Sequence, residues 1–356
     1  MKSKKKVAIL YGGRSAEHEV SIDSARSVTT HLDRSKFEPV LIYIDRRGHW
    51  RQVQPDASGL PPEAPAGTGF SFLPWTSGQA AQIEADVYFP VLHGPYGEDG
   101  RLQAVLEMAG RPFVGASSLG SALAMDKALS KSLFAAADLP VVDFITCQAP
   151  CTDSLVERVA AGLPLPLFVK PSSLGSSIGI SLVKSRADLH EAMARAFAHG
   201  PKIVVEKALQ VREIEVAVLG NEELLISPPA EVFPANEFYD YEDKYVKGQT
   251  RFGLPASVSV SVQAEIKEMA ARAYRALALN GMARVDLFIE KGSGRLLINE
   301  VNTIPGFTRI SLFPRLMGLA GLSFTELLSR LIELGFESWR KAESALSEDL
   351  FESPGH

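Results

Sequence analysis

The sequence predicts a multidomain protein of α/β and α+β type, and three observations carry that prediction. A chain of 356 residues is longer than one ordinary hydrophobic core serves, so two or three domains are expected. Its first third alternates short apolar runs with helical segments, the pattern of a parallel α/β unit. Its last third holds two apolar runs, 283–289 and 296–302, on either side of the turn Lys291-Gly292-Ser293-Gly294, and these read as a β-hairpin.

The elements follow in order. Within 1–116, residues 7–11 form a first strand that Gly12-Gly13 ends. A helix is expected over 21–31, strands over 40–44 and 87–91, and a helix over 102–108. Together they make a Rossmann-like parallel sheet. Residues 54–78, rich in Pro, Gly, Ala and Ser, read as an irregular excursion. Within 117–206, a helix over 126–137 precedes strands over 141–146 and 167–170. A Ser/Gly-rich loop over 171–179, a strand over 180–183, a helix over 186–198 and a strand over 203–207 complete that piece. Within 207–356, strands over 214–219 and 224–226 flank Gly220-Asn221, a pair able to supply the positive φ of a tight hairpin. Residues 228–253 are polar and aromatic with little periodicity, and a loop of that length is usually functional or disordered. A long helix over 261–279, the hairpin, and an amphipathic helix over 324–345 follow.

Composition narrows the function classes. Hydrophobic residues make up 46% and charged residues 22%, ordinary for a globular protein. A net charge of -5 argues against a general nucleic-acid binder. Cys147 and Cys151 are too few for a disulfide framework, and one C-x₃-C pair is a weak zinc site, so both read as reduced thiols. The apolar run after Lys2, Lys4, Lys5 and Lys6 is too short for a signal-peptide core. No stretch reaches bilayer-spanning length, so no membrane insertion and a cytoplasmic location are expected.

Several segments carry chemistry. Paired strands bring Asp286, Glu300 and Asn302 together as oxygen ligands beside the cation Arg284, a donor set that suits Mg²⁺ with bound phosphates. After the first strand comes Gly12-Gly13-Arg14-Ser15-Ala16-Glu17-His18-Glu19. Ligands bind at that edge of an open α/β sheet, and Glu17 and Glu19 suit an ammonium group there. They equally suit the first turn of a helix, where carboxylates are favoured. His93, in His93-Gly94-Pro95-Tyr96-Gly97-Glu98-Asp99-Gly100, stands at another strand-to-helix edge and suits either a substrate contact or a turn. Lys170 begins a Ser/Gly loop that lacks the Walker order; its N–H groups and hydroxyls can close over phosphates, or it is a plain surface loop. Lys127 reads by default as a solvated helix charge. Glu206, Lys207, Ala208 and Leu209 can hold an adenine and Glu213 ribose hydroxyls, but taken alone each reads first as structural. Gly306 can offer its N–H to an oxyanion, and Ser311-Leu312 can bind a carboxylate.

The ordered set GGRSAEHEVS, HGPYGEDG, MDK, KPSSLGSSIG, EK followed by REIEV, EFYDYEDKY, RVD and NEVNTIPGFT resembles the D-alanine–D-alanine ligase family of ATP-grasp enzymes. It spans nearly the whole chain. The resemblance implies an ATP-grasp fold of three domains, 1–116 binding the first substrate, 117–206 central, and 207–356 carrying the metal site and a lid. It implies ATP as cosubstrate, two Mg²⁺ or Mn²⁺ ions on Asp286, Glu300 and Asn302, and a homodimer. Lys127, Lys170, Ser177, Glu206, Lys207, Ala208, Leu209 and Glu213 match ATP-binding positions. Glu17 matches the anchor of the first D-alanine's ammonium, with Ser176 and Tyr245 its hydrogen-bonded partners. His93 and Lys244 match residues on the substrate side, Arg284 and Gly306 the oxyanion stabilisers, and Ser311 and Leu312 the pocket for the second D-alanine's carboxylate. Residues 236–252, with Phe238, Tyr239, Tyr241 and Tyr245, match the lid. The implied activity is D-alanyl-D-alanine formation for peptidoglycan precursors. A depsipeptide ligase using D-lactate and a non-catalytic nucleotide-binding module are the alternatives. Ile310 departs from relatives that carry histidine there.

Overall fold

In the computed structural model of the chain, the described residues are 3–63, 68–69, 84–175, 178–233 and 250–351. They form three sheets joined by helices that cross from one to another.

The first sheet is centred on β1 (Lys5–Gly12), flanked in parallel by β2 (Phe37–Ile44) and β5 (Val87–Pro90). β1 is buried on both faces, which explains its unbroken apolar run. Val7, Ile9 and Tyr11 face one core with α1 (His18–His31), while Ala8 and Leu10 face another with α2 (Arg101–Met108). Beyond the parallel centre, β3 (Trp50–Val53) and β4 (Thr68–Gly69) add an antiparallel edge. A four-residue strand and a two-residue strand are too short to show a period; β4 falls within the stretch read as irregular, 54–78, and β3 is not read as an element from sequence.

The second sheet is antiparallel, in the order β6 (Phe144–Gln148), β9 (Lys202–Lys207), β7 (Leu167–Pro171), β8 (Ser181–Val183). It packs on α5 (Asp153–Gly162) and α6 (Leu189–Phe197). α5 is additional to the elements read from sequence. Its start is marked by Thr152, whose side chain accepts from the Leu155 N–H.

The third sheet runs β13 (Arg251–Gly253), β12 (Ala230–Phe233), β10 (Val211–Gly220), β14 (Met282–Glu290), β15 (Leu296–Asn302), with β11 (Leu224–Ile226) also on β10. Thus both ends of the stretch read as unpatterned, 228–253, are strands paired with one another. One face of this sheet buries α7 (Val260–Ala276) together with α3 (Ser118–Met125) and α4 (Lys127–Ala136). α3 and α4 precede the second sheet in sequence yet pack on the third. Conversely, α8 (Leu312–Leu319) and α9 (Phe324–Phe351) share a core with the first sheet. None of the described helices is long and apolar enough to cross a membrane.

Candidate active site

The centre of the site is a row of acidic side chains across three neighbouring strands. Glu215 on β10 stands opposite Asp286 on β14, which stands opposite Glu300 on β15. Two pairs further along, on the same face, Arg284 faces Asn302. Directly opposed residues share a sheet face, so these groups converge. The register depends on a bulge between Asp286 and Leu287. Leu287 pairs with Ile298 and Asp286 with Glu300, so Asn299 is the extra residue. Without that insertion, Asn299 and Val301 would face Asp286 and Arg284, because a one-residue slip inverts every side chain beyond it.

Cations balance the row. Arg284 donates from Nε and Nη2 to the two oxygens of Asp286, 2.7 Å each, and its Nε lies 2.9 Å from Glu215 Oε2. Asn302 Nδ2 donates to Asp286 at 3.0 Å. Lys127 Nζ lies 3.1 Å from Glu300 Oε2 and donates to the Leu174 carbonyl at 2.9 Å. Lys127 is therefore not the solvated helix charge its position suggested.

α4 links this row to the second sheet. Asp126 caps α4 by accepting from the Ala128 and Leu129 N–H groups, accepts from Ser172 Oγ at 2.6 Å, and pairs with Lys202. One carboxylate thus ties the helix to the start of the Ser/Gly loop. Glu206 is buried between Lys170, 2.8 Å from its Oε2, and Lys131, 3.2 Å from its Oε1. Burial works against its charge, but the pull of Lys131 and then Lys170 wins and brings it to about 2. Lys207 continues β9, and the half-buried Ala208 and Leu209 follow, with the Ala208 N–H donating to the Pro166 carbonyl.

From the first sheet come Glu17 and His93, both buried. Glu17 holds the N-cap position of α1 without a side-chain capping bond, so the charge is not spent on the helix. Glu19 also borders the site's cavity, but at its exposed edge, where it pairs with Arg46. A Cβ at Gly94 would stand 2.8 Å from Glu17 Oε2, and one at Gly175 would stand 4.0 Å from it, which places Glu17 beside the Ser/Gly loop. His93 Nδ1 lies 3.1 Å from the Ile304 carbonyl, so that nitrogen carries a proton. Its Nε2 lies 2.9 Å from Ser24 Oγ, which accepts the Phe307 N–H at 3.3 Å. Burial alone would lower His93, but the hydrogen bond and charge of Glu98, then the charge of Glu17, raise it. Glu98 is raised by burial and by Glu17, against the pull of His93. These contacts fix the loop that carries Gly306. A Cβ there would meet Ser311 Oγ at 2.6 Å, so the backbone approaches Ser311 as only glycine allows. Ser311 accepts from the Thr308 N–H at 3.0 Å, and Leu312 opens α8.

A cavity of about 850 Å³ joins these groups. Among the described residues its wall takes in Glu17, His93, Lys127, Arg284, Glu300, Asn302, Gly306, Ser311 and Leu312. Lys170, Glu206, Lys207, Ala208, Leu209, Glu213 and Asp286 are not in that wall. Ser176, Ser177, Lys244 and Tyr245, with most of the expected lid, lie outside the described residues. Glu215, Lys131, Glu98, Ser24 and Asp126 were not singled out from sequence. Glu215 had a signal, since it sits two residues after Glu213 on one strand and so shares its face.

The donors fit a divalent cation only with help. Among the described residues no three His, Cys, Asp or Glu groups are close enough to hold a metal. Asp286, Glu300 and the Asn302 amide oxygen form an oxygen-only set, and Mg²⁺ is typically held by one or two carboxylates plus substrate phosphates. The set fits an ion that arrives with a phosphorylated ligand.

Two family descriptions match the chain: D-ala D-ala ligase N-terminus over residues 6–116 and D-ala D-ala ligase C-terminus over 133–333. The chain belongs to the D-alanine–D-alanine ligase family. A relative from Heliobacterium modesticaldum named D-alanine–D-alanine ligase is 42% identical over 361 residues, covering 98% of this chain and 99% of its own. One of the same name from Solibacter usitatus is 43% identical over 340 residues, covering 96% and 98%. Among solved structures, the D-alanine–D-alanine ligase of Coxiella burnetii superposes with a TM-score of 0.84 at 32% identity, covering 97% of both chains. The VanG D-Ala:D-Ser ligase of Enterococcus faecalis gives 0.83 at 36% identity, covering 94% of this chain and 100% of its own. The expected α/β multidomain ATP-grasp architecture of the family is the one found.

Proposed function

We propose that this protein is an ATP-dependent ligase that joins two D-alanine molecules into D-alanyl-D-alanine for peptidoglycan precursors, releasing ADP and phosphate. The observation that carries this reading is the row Glu215–Asp286–Glu300 with Arg284, of which Glu215, Glu300 and Arg284 open on a cavity shared with Glu17 and Gly306. Relatives named for this activity at 40–43% identity support it.

A carboxylate is a poor acyl donor. One oxygen of the first D-alanine's carboxylate therefore attacks the γ-phosphorus of ATP, and the bond to the bridging oxygen breaks to leave ADP and D-alanyl phosphate. The amine of the second D-alanine adds to the carbonyl and loses a proton, and phosphate departs. Glu17 holds the ammonium of the first substrate, with His93 and Glu98 behind it. Lys127, Lys170 and Ser177 meet phosphates, Glu206, Lys207, Ala208 and Leu209 the adenine, and Glu213 the ribose, in the space between 117–206 and 207–356. Asp286, Glu300 and Asn302 would hold two Mg²⁺ or Mn²⁺ ions, which when bound supply neutralising charge to the phosphates. Arg284 and the Gly306 N–H stabilise the tetrahedral oxyanion, while Ser311 and Leu312 receive the second carboxylate. Ser176, Lys244 and Tyr245 belong to a closure that keeps water from the acyl phosphate. The assembly is a homodimer in the cytoplasm.

The test is phosphate release from ATP with D-alanine alone and with D-serine, D-lactate or L-alanine added, across pH. One phosphate per D-alanyl-D-alanine is the expected result with D-alanine alone. Release that requires D-lactate would make the protein a depsipeptide ligase, and no release with any acceptor would make it a binding module.

A further inference from the structure

Lys131 is a buried lysine that the reaction above does not use. Its side chain is 1% exposed and lies on α4, with its Nζ 3.2 Å from Glu206 Oε1 and 5.9 Å from the centre of the Phe144 ring. Neither Lys131 Nζ nor Glu206 Oε1 has a well-directed hydrogen bond; against burial and the repulsion of Lys170, the attraction of Glu206 does most to keep Lys131 charged, and Glu300 adds to it. Lys170 uses the other oxygen of the same carboxylate. Two ammonium groups on one carboxylate leave a surplus positive charge within a buried cluster.

The two lysines are not equivalent. Neither lines the cavity, but Lys170 is 11% exposed against 1% for Lys131, so Lys170 is the lysine more open to a ligand from outside the cluster. A buried carboxylate deprived of its sole cation is strongly unfavourable. With a single lysine, Glu206 and a phosphate would compete for it.

We propose that Lys131 is a positioning residue for the nucleotide. As the permanent counter-charge of Glu206, it leaves Lys170 free to exchange that carboxylate for a phosphate oxygen of ATP. The exchange breaks no covalent bond and moves no proton. Because the two lysines use different oxygens, Lys170 can depart without disturbing the Lys131 contact. The inference rests on the nucleotide reading given above, and the experiment separates the two.

The experiment is a double-mutant cycle on the full-length enzyme, with Lys131→Met, Glu206→Gln and the pair, read as kcat and as KM for ATP at saturating D-alanine. Lys131→Met should raise KM for ATP by about 10–100-fold with kcat within about 3-fold of wild type. In the Glu206→Gln background the same change should move KM less than about 3-fold, since no carboxylate then competes for Lys170. An equal KM effect in both backgrounds, or a loss confined to kcat, overturns the proposal. If Lys131→Met does not fold, Lys131→Gln enters the same cycle with the same expectation. Lys170→Met serves as the separate control. It should raise KM for ATP, and an unchanged KM there would overturn the nucleotide placement itself.

Discussion

Lys127 and Lys131 stand one helical turn apart on α4, and each holds a carboxylate from a different sheet, Glu300 at 3.1 Å and Glu206 at 3.2 Å. Residues four apart lie on one helix face, so a single face of α4 brackets the second and third sheets. The electrostatics of the two sheets are thereby coupled through ten residues of helix. Substitutions on either side should be read with that coupling in mind.

Asp286→Asn and Glu300→Gln should each reduce ATP-dependent dipeptide formation below about 1% of wild type. Both carboxylates are partly exposed, so thermal unfolding should move by only a few degrees. Near-normal turnover in both variants would remove them from the metal site.

Glu215→Gln takes away one of the two carboxylates on Arg284. A hydrogen bond to a charged group contributes about 1.5–3 kcal/mol, so kcat should fall by about 10–100-fold. Far-ultraviolet circular dichroism should be unchanged. Unaltered kcat would mean that Asp286 alone orients the guanidinium.

His93 makes stability depend on pH. Its pKa is raised in the folded protein above the ordinary 6.5, so the native state binds its proton more tightly than the unfolded chain does. That contribution is complete below 6.5 and fades as pH rises through the raised value. The urea midpoint of wild type should therefore exceed that of His93→Gln by more at pH about 5.5 than at pH about 9. A constant difference would show that the imidazole does not change charge in this range.

Gly306→Ala places a methyl group 2.6 Å from Ser311 Oγ, and the loop must shift to admit it. Loss of one oxyanion donor typically lowers the rate by about 10²–10³, and kcat should fall by that order while KM for ATP holds. Full activity would show that Ser311 yields to the methyl group and leaves the residue-306 N–H in place.

The sequence made the hairpin, its turn and the polar residues on it legible, because apolar periodicity and Gly292 and Gly294 mark them plainly. It could not show which polar residues face one another, since the Asn299 bulge adds one residue that no local pattern announces. Lys131 was hidden for a different reason. On helical spacing it is one charged residue among several, and its burial depends on Glu206, 75 positions later. Ser24 and Asp126 carry ordinary helical and capping patterns, and only the approach of the Phe307 and Ser172 segments gives them a further part. Strands β3, β12 and β13 escaped because three or four residues are too few to establish alternation.

The shared core of the first sheet and α9 has a consequence for biogenesis. Val7 and Ile9 are made some three hundred residues before Leu327, Leu328 and Leu331, yet they belong to one apolar cluster with them. A domain that emerges first ordinarily folds first. Here β1 waits, partly uncovered, for α9 to leave the ribosome, and a chain ending before α9 would keep the acidic row of the third sheet but lack the means to shelter β1.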